Sequence, residues 1–233
     1  MALLGRIPVT GACMTLTRRL FPLAFIALVG CTDADAGGGG SLDPERQPAT
    51  QQAPAPAEGQ AVAVFAGGCF WCMEKPFEKI DGVVEVTSGY AGGEVKGPSY
   101  KEVGGGATTH IEAIHVLYEP EKVSYARLIE VFWHNIDPTQ SSGQFCDKGH
   151  QYTTAVFTSD PTEGKLALEW KKKLTRELGA PIVTDIRPAE PFWVAEEYHQ
   201  DFYKKNPDHY QRYRTGCGRD RRLQQLWGDK AGH

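Results

Sequence analysis

Ala61-Val62-Ala63-Val64-Phe65-Ala66-Gly67-Gly68-Cys69-Phe70-Trp71-Cys72 is the stretch that best predicts both the fold and the chemistry of this chain. Its first half is apolar, and a short apolar run that ends at a turn signal predicts a buried strand. The two glycines supply the turn, and residues 69–79 are predicted to form a helix. The free N–H groups and the dipole at a helix N-terminus stabilise a thiolate. We therefore expect Cys69 to be an activated thiol.

Further strands follow from the same kind of pattern. Short runs rich in β-branched and aromatic residues predict strands at residues 83–90, 111–118 and 154–158, and an edge strand at 183–186. Strands and helices without regular alternation indicate an α+β fold, a two-layer α/β sandwich. We expect a mixed sheet with flanking helices and a long C-terminal coil.

Capping residues mark two helices. Ser124 is placed to cap a helix that runs to about Asn135. Asp160-Pro161-Thr162-Glu163 combines an N-cap, a proline at the first helical position and an acid at the third, and the helix should stop at Gly179. Residues 187–233 are rich in aromatic side chains and lack clear periodicity. They are predicted to form a wrapping coil with one or two short helices.

The first 60 residues are predicted to deliver and tether the domain. Residues 1–30 contain a basic region, a short apolar run and small residues before Cys31, which together describe an export signal. The Leu-Val-Gly-Cys ending resembles a bacterial lipobox, and this resemblance implies a signal of the lipoprotein type. The run is far shorter than the ~20 residues of a transmembrane helix. Cys31 is the expected lipidation site; a plain secretory signal, a twin-arginine signal and a start at Met14 stay open. Residues 31–60 are rich in Gly, Ala and Pro and predict a flexible tether.

Size and charge limit the classes of function that residues 61–233 can have. The whole chain has 233 residues and a formal net charge of −4, and a nucleic-acid-binding protein would normally carry a basic field instead. Residues 61–233 are enough for one domain that needs neither disulfides nor metals for stability. We expect this single domain to be catalytic and monomeric.

Cys69 and Cys72 form a Cys-x-x-Cys pair, a spacing used by three kinds of site. A structural zinc site needs two more ligands, and the remaining cysteines of the domain, Cys146 and Cys217, do not form a second pair. A thioredoxin-like redox pair also follows a strand, but Phe-Trp between the cysteines and Gly-Gly before them are unlike its usual motif. We favour the third interpretation, a nucleophilic cysteine with a resolving partner.

The segment Gly68-Cys69-Phe70-Trp71-Cys72 resembles the signature of peptide methionine sulfoxide reductases of the A type. Further segments resemble blocks of that family in the same order, at residues 88–93, 98–103, 109–112, 132–138, 147–152 and 198–203. The resemblance covers about residues 61–227. Many members have Gly where Cys72 stands, so the chain resembles the subgroup with both cysteines in the signature. Thr109 replaces another common Gly.

Reduction of a sulfoxide requires a soft nucleophile for sulfur and an acid for the departing oxygen. Cys69 is the expected nucleophile and Glu112 the expected acid. Strand alternation places Glu112 on the same face as apolar residues, which would raise the pKa of its carboxyl. From the residues alone, an acid that reaches solvent at the sheet edge is the alternative.

The resemblance also implies which side chains bind the substrate. Tyr100, Asp147 and Tyr152 are expected to line the site and to hold the sulfoxide oxygen or a water molecule. Phe70 and Trp71 are expected to form an apolar pocket for the S-methyl group.

The expected cycle needs no cofactor and no metal. Cys69 becomes a sulfenic acid as methionine leaves, and Cys72 condenses with it to form a disulfide. Cys217 is a candidate second acceptor, and a thioredoxin-like protein is the expected reductant. The resemblance implies methionine-S-sulfoxide as the substrate, in oxidised proteins and as the free amino acid. A lipoprotein that exchanges disulfides with other proteins is the alternative function.

Overall fold

The computed structural model describes residues 51–232, and its centre is a six-stranded sheet. The strands are β1 (Ala61–Gly67), β2 (Val83–Ala91), β3 (Ile111–Tyr118), β6 (Thr154–Thr158), β7 (Asp185–Pro188) and β8 (Trp193–Val194), and β4 (Gly143–Gln144) and β5 (Asp147–Lys148) form a separate ribbon. The sheet order is β7-β6-β1-β3-β2-β8. Neighbouring strands in this sheet run antiparallel, except β6 and β7, which run parallel. The predicted mixed sheet is therefore confirmed.

Helices cover one face of this sheet. They are α1 (Trp71–Glu78), α2 (Tyr100–Gly104), α3 (Tyr125–His134), α4 (Pro161–Leu178), α5 (Phe202–Lys205), α6 (Pro207–Gly216) and α7 (Arg219–Trp227). Because strand side chains alternate, Phe65 of β1 joins the larger core, whereas Val64 joins a smaller cluster. The main core takes Phe77 from α1 and Leu128 from α3. The expected α+β fold is confirmed.

The predicted helix caps are confirmed in detail. The Ser124 side chain accepts a hydrogen bond from the Arg127 N–H, and the Asp160 side chain accepts hydrogen bonds from the Thr162 and Glu163 N–H groups. Helix α4 ends at Gly179, which is in the left-handed conformation. The sequence predicted these caps because capping depends on residues only a few positions apart.

Three boundaries differ from the sequence prediction. Helix α1 begins at Trp71 rather than at Cys69, and β7 lies two residues later than predicted. Backbone pairing with the domain also starts before residue 61, the expected domain boundary, because the N–H of Val194 donates to the carbonyl oxygen of Gln51.

No helix within residues 51–232 is long and apolar enough to cross a membrane.

The prediction of a long C-terminal coil is wrong. Residues 202–227 are mostly helical, in α5, α6 and α7. Helix α6 buries Tyr210, and α7 buries only Arg219 and Leu223. Helices that bury so few side chains carry no apolar stripe, so sequence periodicity does not reveal them.

Gly89 marks a close approach between β2 and β8. A Cβ atom at this position would overlap the carbonyl oxygen of Trp193 and the ring of Phe192. Gly89→Ala is therefore expected to lower the free energy of unfolding by about 1–3 kcal/mol, the usual cost of overpacking. Urea unfolding measures this. The control is Gly164→Ala in α4, where the nearest heavy atom is Thr158 Oγ1 at 3.6 Å. It should be neutral or stabilising by up to about 1 kcal/mol, and equal stability of the two variants would contradict the prediction.

Candidate active site

The turn between β1 and α1 places Cys69 and Cys72 side by side in the interior. Gly68 has a φ of +80°, and a Cβ atom there would lie 2.5 Å from Cβ of Gln144, so this position requires glycine. The N–H of Cys72 donates to the carbonyl oxygen of Cys69 at 3.0 Å. Their side chains also share a hydrogen bond, and both cysteines are free and buried. The two side chains are therefore near enough to interact.

The two thiols have opposite pKa shifts. Burial raises the pKa of Cys69 well above its ordinary value. The hydrogen bond from Cys69 lowers the pKa of Cys72 to about 6, with the positive charges of Arg219 and Arg214 acting in the same direction. In the resting protein the lowered pKa is that of Cys72 rather than that of Cys69. The helix starts two residues later than predicted, so Cys69 lies before its first turn, and burial is the largest cause of the raised pKa.

Two arginines from the C-terminal helices account for the positive charge near Cys72. Arg219 is 1% exposed, and its Nη2 donates to the carbonyl oxygens of Gly67 and Asn135 at 3.0 and 2.8 Å. Arg214 Nη1 lies 3.4 Å from the carbonyl oxygen of Cys72. These contacts tie α6 and α7 to the start of α1. The sequence analysis missed both arginines because they lie about 145 residues from Cys72 in the chain.

Glu112 lies on β3 beside this turn, as predicted. Its Oε2 atom accepts a hydrogen bond from the N–H of Phe70 at 3.0 Å, and the residue is 2% exposed. Burial raises the pKa of the Glu112 carboxyl to about 8. The alternative of an acid that reaches solvent is excluded. Glu112 therefore holds a proton at neutral pH next to the cysteine pair.

The polar residues expected around the substrate are brought together. Tyr152 lies close enough to Glu112, Tyr100, Cys69 and Asp147 to interact electrostatically with all four, and its own pKa is raised, chiefly by burial. Asp147 is partly buried, and desolvation raises the pKa of its carboxyl. The site thus gathers hydroxyl groups and two carboxyl groups of raised pKa, which are suited to binding an oxygen atom and, in Glu112, to protonating it.

Aromatic rings form one wall of the site. Phe70 is buried against His199, with ring centroids 4.9 Å apart. Trp71 stacks on Phe202 at 3.6 Å, and its indole N–H donates to His199 Nδ1 at 3.1 Å. Tyr100 packs on the same histidine at 4.4 Å. The predicted positions of Phe70 and Trp71 in an apolar wall are thus consistent with the structure.

Three further residues, to which the sequence analysis assigned no role, lie around the active site. His199 is 1% exposed, and burial lowers its pKa to about 4, so it is neutral. Glu196 accepts hydrogen bonds from the Tyr90 hydroxyl and the Tyr100 N–H, both at 2.8 Å. Tyr213 donates to Asp147 Oδ2 at 2.5 Å. His199 lies in a block that carried the resemblance; nothing in the sequence pointed to Tyr213.

Cys146 and Cys217 form a disulfide, with Cα atoms 4.9 Å apart. Their sulfur atoms and a carboxylate oxygen of Asp147 lie within 4.8 Å of one another, the one grouping of potential metal ligands found among residues 51–232. Because the two sulfurs are bonded to each other, they offer no thiolates to a metal. The pairing also removes both cysteines from the hypothetical zinc site with Cys69 and Cys72.

Comparison with known proteins identifies the family that this chain matches. The profile of the family described as peptide methionine sulfoxide reductase matches residues 61–231. Peptide methionine sulfoxide reductase MsrA of Bacillus licheniformis is 49% identical over 176 residues, which are 75% of this chain and 97% of that protein. MsrA of Bacillus subtilis is 48% identical over 176 residues, with 75% and 99% covered.

Solved structures agree with the sequence comparison. Mxr1 from Saccharomyces cerevisiae in its reduced form superposes with a TM-score of 0.61 at 34% identity, covering 68% of this chain and 90% of Mxr1. Methionine sulfoxide reductase A of Corynebacterium diphtheriae gives a TM-score of 0.60 at 29% identity, covering 67% and 87%.

Proposed function

The chain belongs to the peptide methionine sulfoxide reductase family, A type, and from this premise we propose how its own residues reduce the sulfoxide. It is an oxidoreductase that converts methionine sulfoxide to methionine. The observation that carries the residue assignment is Glu112. Its buried carboxyl, protonated at neutral pH, lies against the backbone N–H that follows Cys69. A nucleophile for sulfur and an acid for oxygen therefore lie side by side.

In the first step the Cys69 sulfur attacks the sulfoxide sulfur. The Cys72 thiolate, which already shares a hydrogen bond with the Cys69 thiol, takes the proton of that thiol as the attack proceeds. Glu112 donates a proton to the sulfoxide oxygen, and this oxygen atom transfers to the sulfur of Cys69. Cys69 ends as a sulfenic acid and the substrate as methionine, so sulfur is oxidised in the enzyme and reduced in the substrate. Tyr100, Tyr152 and Asp147 bind the oxygen, and Phe70 and Trp71 receive the S-methyl group.

In the second step Cys72 condenses with the sulfenic acid. A disulfide forms between Cys69 and Cys72, and the oxygen leaves as water. The contact between the two side chains at rest means that this step needs only a small movement. Cys146 and Cys217 are already bonded to each other and have no free thiol to offer.

A thioredoxin-like dithiol protein then regenerates the enzyme by disulfide exchange. The exchange returns both cysteines to the thiol form and leaves the donor oxidised. We infer that the substrate is the S epimer, in oxidised proteins and as free methionine sulfoxide, so that the activity repairs oxidised proteins. The chemistry requires no cofactor beyond the reductant.

The test is a stoichiometric reaction without reductant. Protein with Cys69 and Cys72 reduced is incubated with dabsylated methionine-S-sulfoxide, and methionine and free thiols are counted together. We expect one methionine per chain and the loss of two thiols. Rapid reduction of insulin disulfides by the same preparation, without methionine formation, would favour the alternative of a thiol–disulfide oxidoreductase. The burial of both thiols already disfavours that alternative.

We further propose that the enzyme is an exported lipoprotein, anchored to a membrane through lipid on Cys31 and facing the periplasm or the cell exterior. The support is the Leu-Val-Gly-Cys ending of the apolar N-terminal run, which lies outside the described residues. About twenty residues separate Cys31 from Gln51, the first described residue whose backbone pairs with the domain, and a flexible segment of that length would give the active site reach along the membrane surface.

Cys31→Ala tests this proposal. The variant should lose its membrane association or stop at the unprocessed precursor, because the acylated side chain is gone. Fractionation and intact mass of the two proteins from the same host provide the measurement, with Cys13→Ala as the matched control. Identical soluble behaviour and identical mass of wild type and Cys31→Ala would rule out the lipid anchor.

A further inference from the structure

Tyr213 of helix α6 contacts two groups of the site at once. Its hydroxyl donates to Asp147 Oδ2 at 2.5 Å, and it lies near enough to Cys69 to lower the pKa of that thiol. Its ring also packs edge-on against Trp71, with centroids 5.9 Å apart. Tyr213 therefore links the nucleophile to a carboxyl group on the facing ribbon.

The disulfide fixes this position from both sides. Cys217 follows Tyr213 by one helical turn, and its N–H donates to the Tyr213 carbonyl oxygen at 2.8 Å, so both side chains lie on one face of the helix. Cys146 directly precedes Asp147 in the chain. One covalent bond thus joins the neighbour of Asp147 to the helix face that carries Tyr213. Without it, the contact depends on a half-exposed helix of ten residues.

A phenol has a single proton to donate, and the protonation of Asp147 decides where it goes. When Asp147 is ionised, the hydroxyl donates to the carboxylate. When Asp147 is protonated, the carboxyl donates to the phenol oxygen and the phenol proton is free for Cys69. Desolvation raises the pKa of Asp147 and so favours the second arrangement.

We propose that Tyr213 is a catalytic residue whose hydroxyl donates a hydrogen bond to the Cys69 thiolate, and that the Cys146–Cys217 disulfide is the clamp that holds it there. This deepens the proposed function and rests on it, since it explains how a buried Cys69 becomes a thiolate when the substrate arrives. Burial alone opposes that ionisation, and the nearby Glu112 would oppose it further if ionised. A hydrogen bond to the charged sulfur acts in the opposite direction.

The experiment measures the thiolate directly and uses no sulfoxide. In a Cys72→Ser background, where Cys69 has no neighbour to form a disulfide with, the rate of Cys69 carbamidomethylation by iodoacetamide is followed from pH 6 to 10 by peptide mass spectrometry. Tyr213→Phe should raise the apparent pKa of Cys69 by roughly one unit, a roughly tenfold lower rate at pH 8, the effect of losing one charge-assisted hydrogen bond. The other titratable groups near this sulfur, Glu112, Asp147 and Tyr152, are unchanged in the comparison.

Tyr203→Phe is the matched control, because its hydroxyl bonds to Glu78 away from the sulfur atoms. It should leave the profile in place. Cys146→Ala/Cys217→Ala should shift the profile in the same direction as Tyr213→Phe, and adding Tyr213→Phe to it should produce little further shift. An unchanged pKa in Tyr213→Phe would overturn the proposal. A clear shift there but none on removing the disulfide would overturn the clamp. Because alkylation involves no substrate, either outcome is independent of whether the chain reduces sulfoxides.

Discussion

Glu112→Gln is expected to slow single-turnover formation of methionine by about 10²–10⁴-fold, the usual contribution of one general acid. The amide keeps the shape of the side chain and can still accept the Phe70 N–H, so the fold should be intact. It cannot give a proton to the departing oxygen. Rapid-quench measurement of methionine-S-sulfoxide reduction by reduced protein provides the rate.

The pH dependence of that rate identifies the proton donor. Because burial raises the pKa of Glu112 to about 8, the carboxyl is protonated below that pH and loses its proton above it. The wild-type rate should therefore fall as pH rises through 8, and the glutamine variant should lack this step. The ratio of the two rates should be largest from neutrality up to pH 8, where no solvent proton compensates.

Glu74→Gln is the matched control for Glu112. Glu74 is also buried, and desolvation raises the pKa of its carboxyl to about 8 as well. Its Oε1 atom accepts hydrogen bonds from the Ser88 hydroxyl and the Asp201 N–H rather than lying against Phe70. This variant should retain the wild-type pH step. If Glu112→Gln stays within about twofold of wild type, Glu112 has no part in the mechanism.

Cys72→Ser should produce about one methionine per chain and then stop. Cys69 can still attack and become a sulfenic acid, but no neighbouring thiol converts that acid to a disulfide that thioredoxin can reduce. Thioredoxin-driven turnover should therefore fall to background, while the first turnover survives more slowly because Cys72 no longer accepts the Cys69 proton. Methionine formed per chain, with and without a thioredoxin system, is the measurement.

Cys217→Ala is the control that separates the two cysteine pairs. This variant breaks the clamp on Tyr213, so its first turnover should be slower, but multiple turnovers should continue through Cys72. Continued turnover in Cys72→Ser, with arrest in Cys217→Ala, would show that the C-terminal cysteine is the resolving residue.

Local patterns predicted most of this fold. The apolar run of β1, the glycine turn and the helix caps at Ser124 and Asp160 depend on residues a few positions apart, and the structure has them. The residues that bind the C-terminal helices to the site act across more than a hundred positions. Arg219 reaches the carbonyl oxygen of Gly67, and Tyr213 reaches Asp147. No spacing in the sequence encodes these contacts.

The electrostatics show the same division. The high pKa of Glu112 could be anticipated from strand alternation, because alternation alone places its carboxyl on the apolar, buried face of β3. The pKa shifts of the thiols could not, since they depend on two arginines and on the degree to which the turn is buried. The helix dipole argument identified the right segment, but it did not anticipate that the pKa of Cys72 is lowered while that of Cys69 is raised.

The most direct test of the account is a disulfide map after one turnover. Wild-type protein with Cys69 and Cys72 reduced is mixed with excess methionine-S-sulfoxide, trapped with an alkylating agent in acid, digested and analysed by mass spectrometry. We predict a Cys69–Cys72 disulfide in nearly one equivalent, matched by one methionine, with the Cys146–Cys217 disulfide unchanged. A dominant Cys69–Cys217 or Cys69–Cys146 bond, with Cys72 alkylated, would contradict the account.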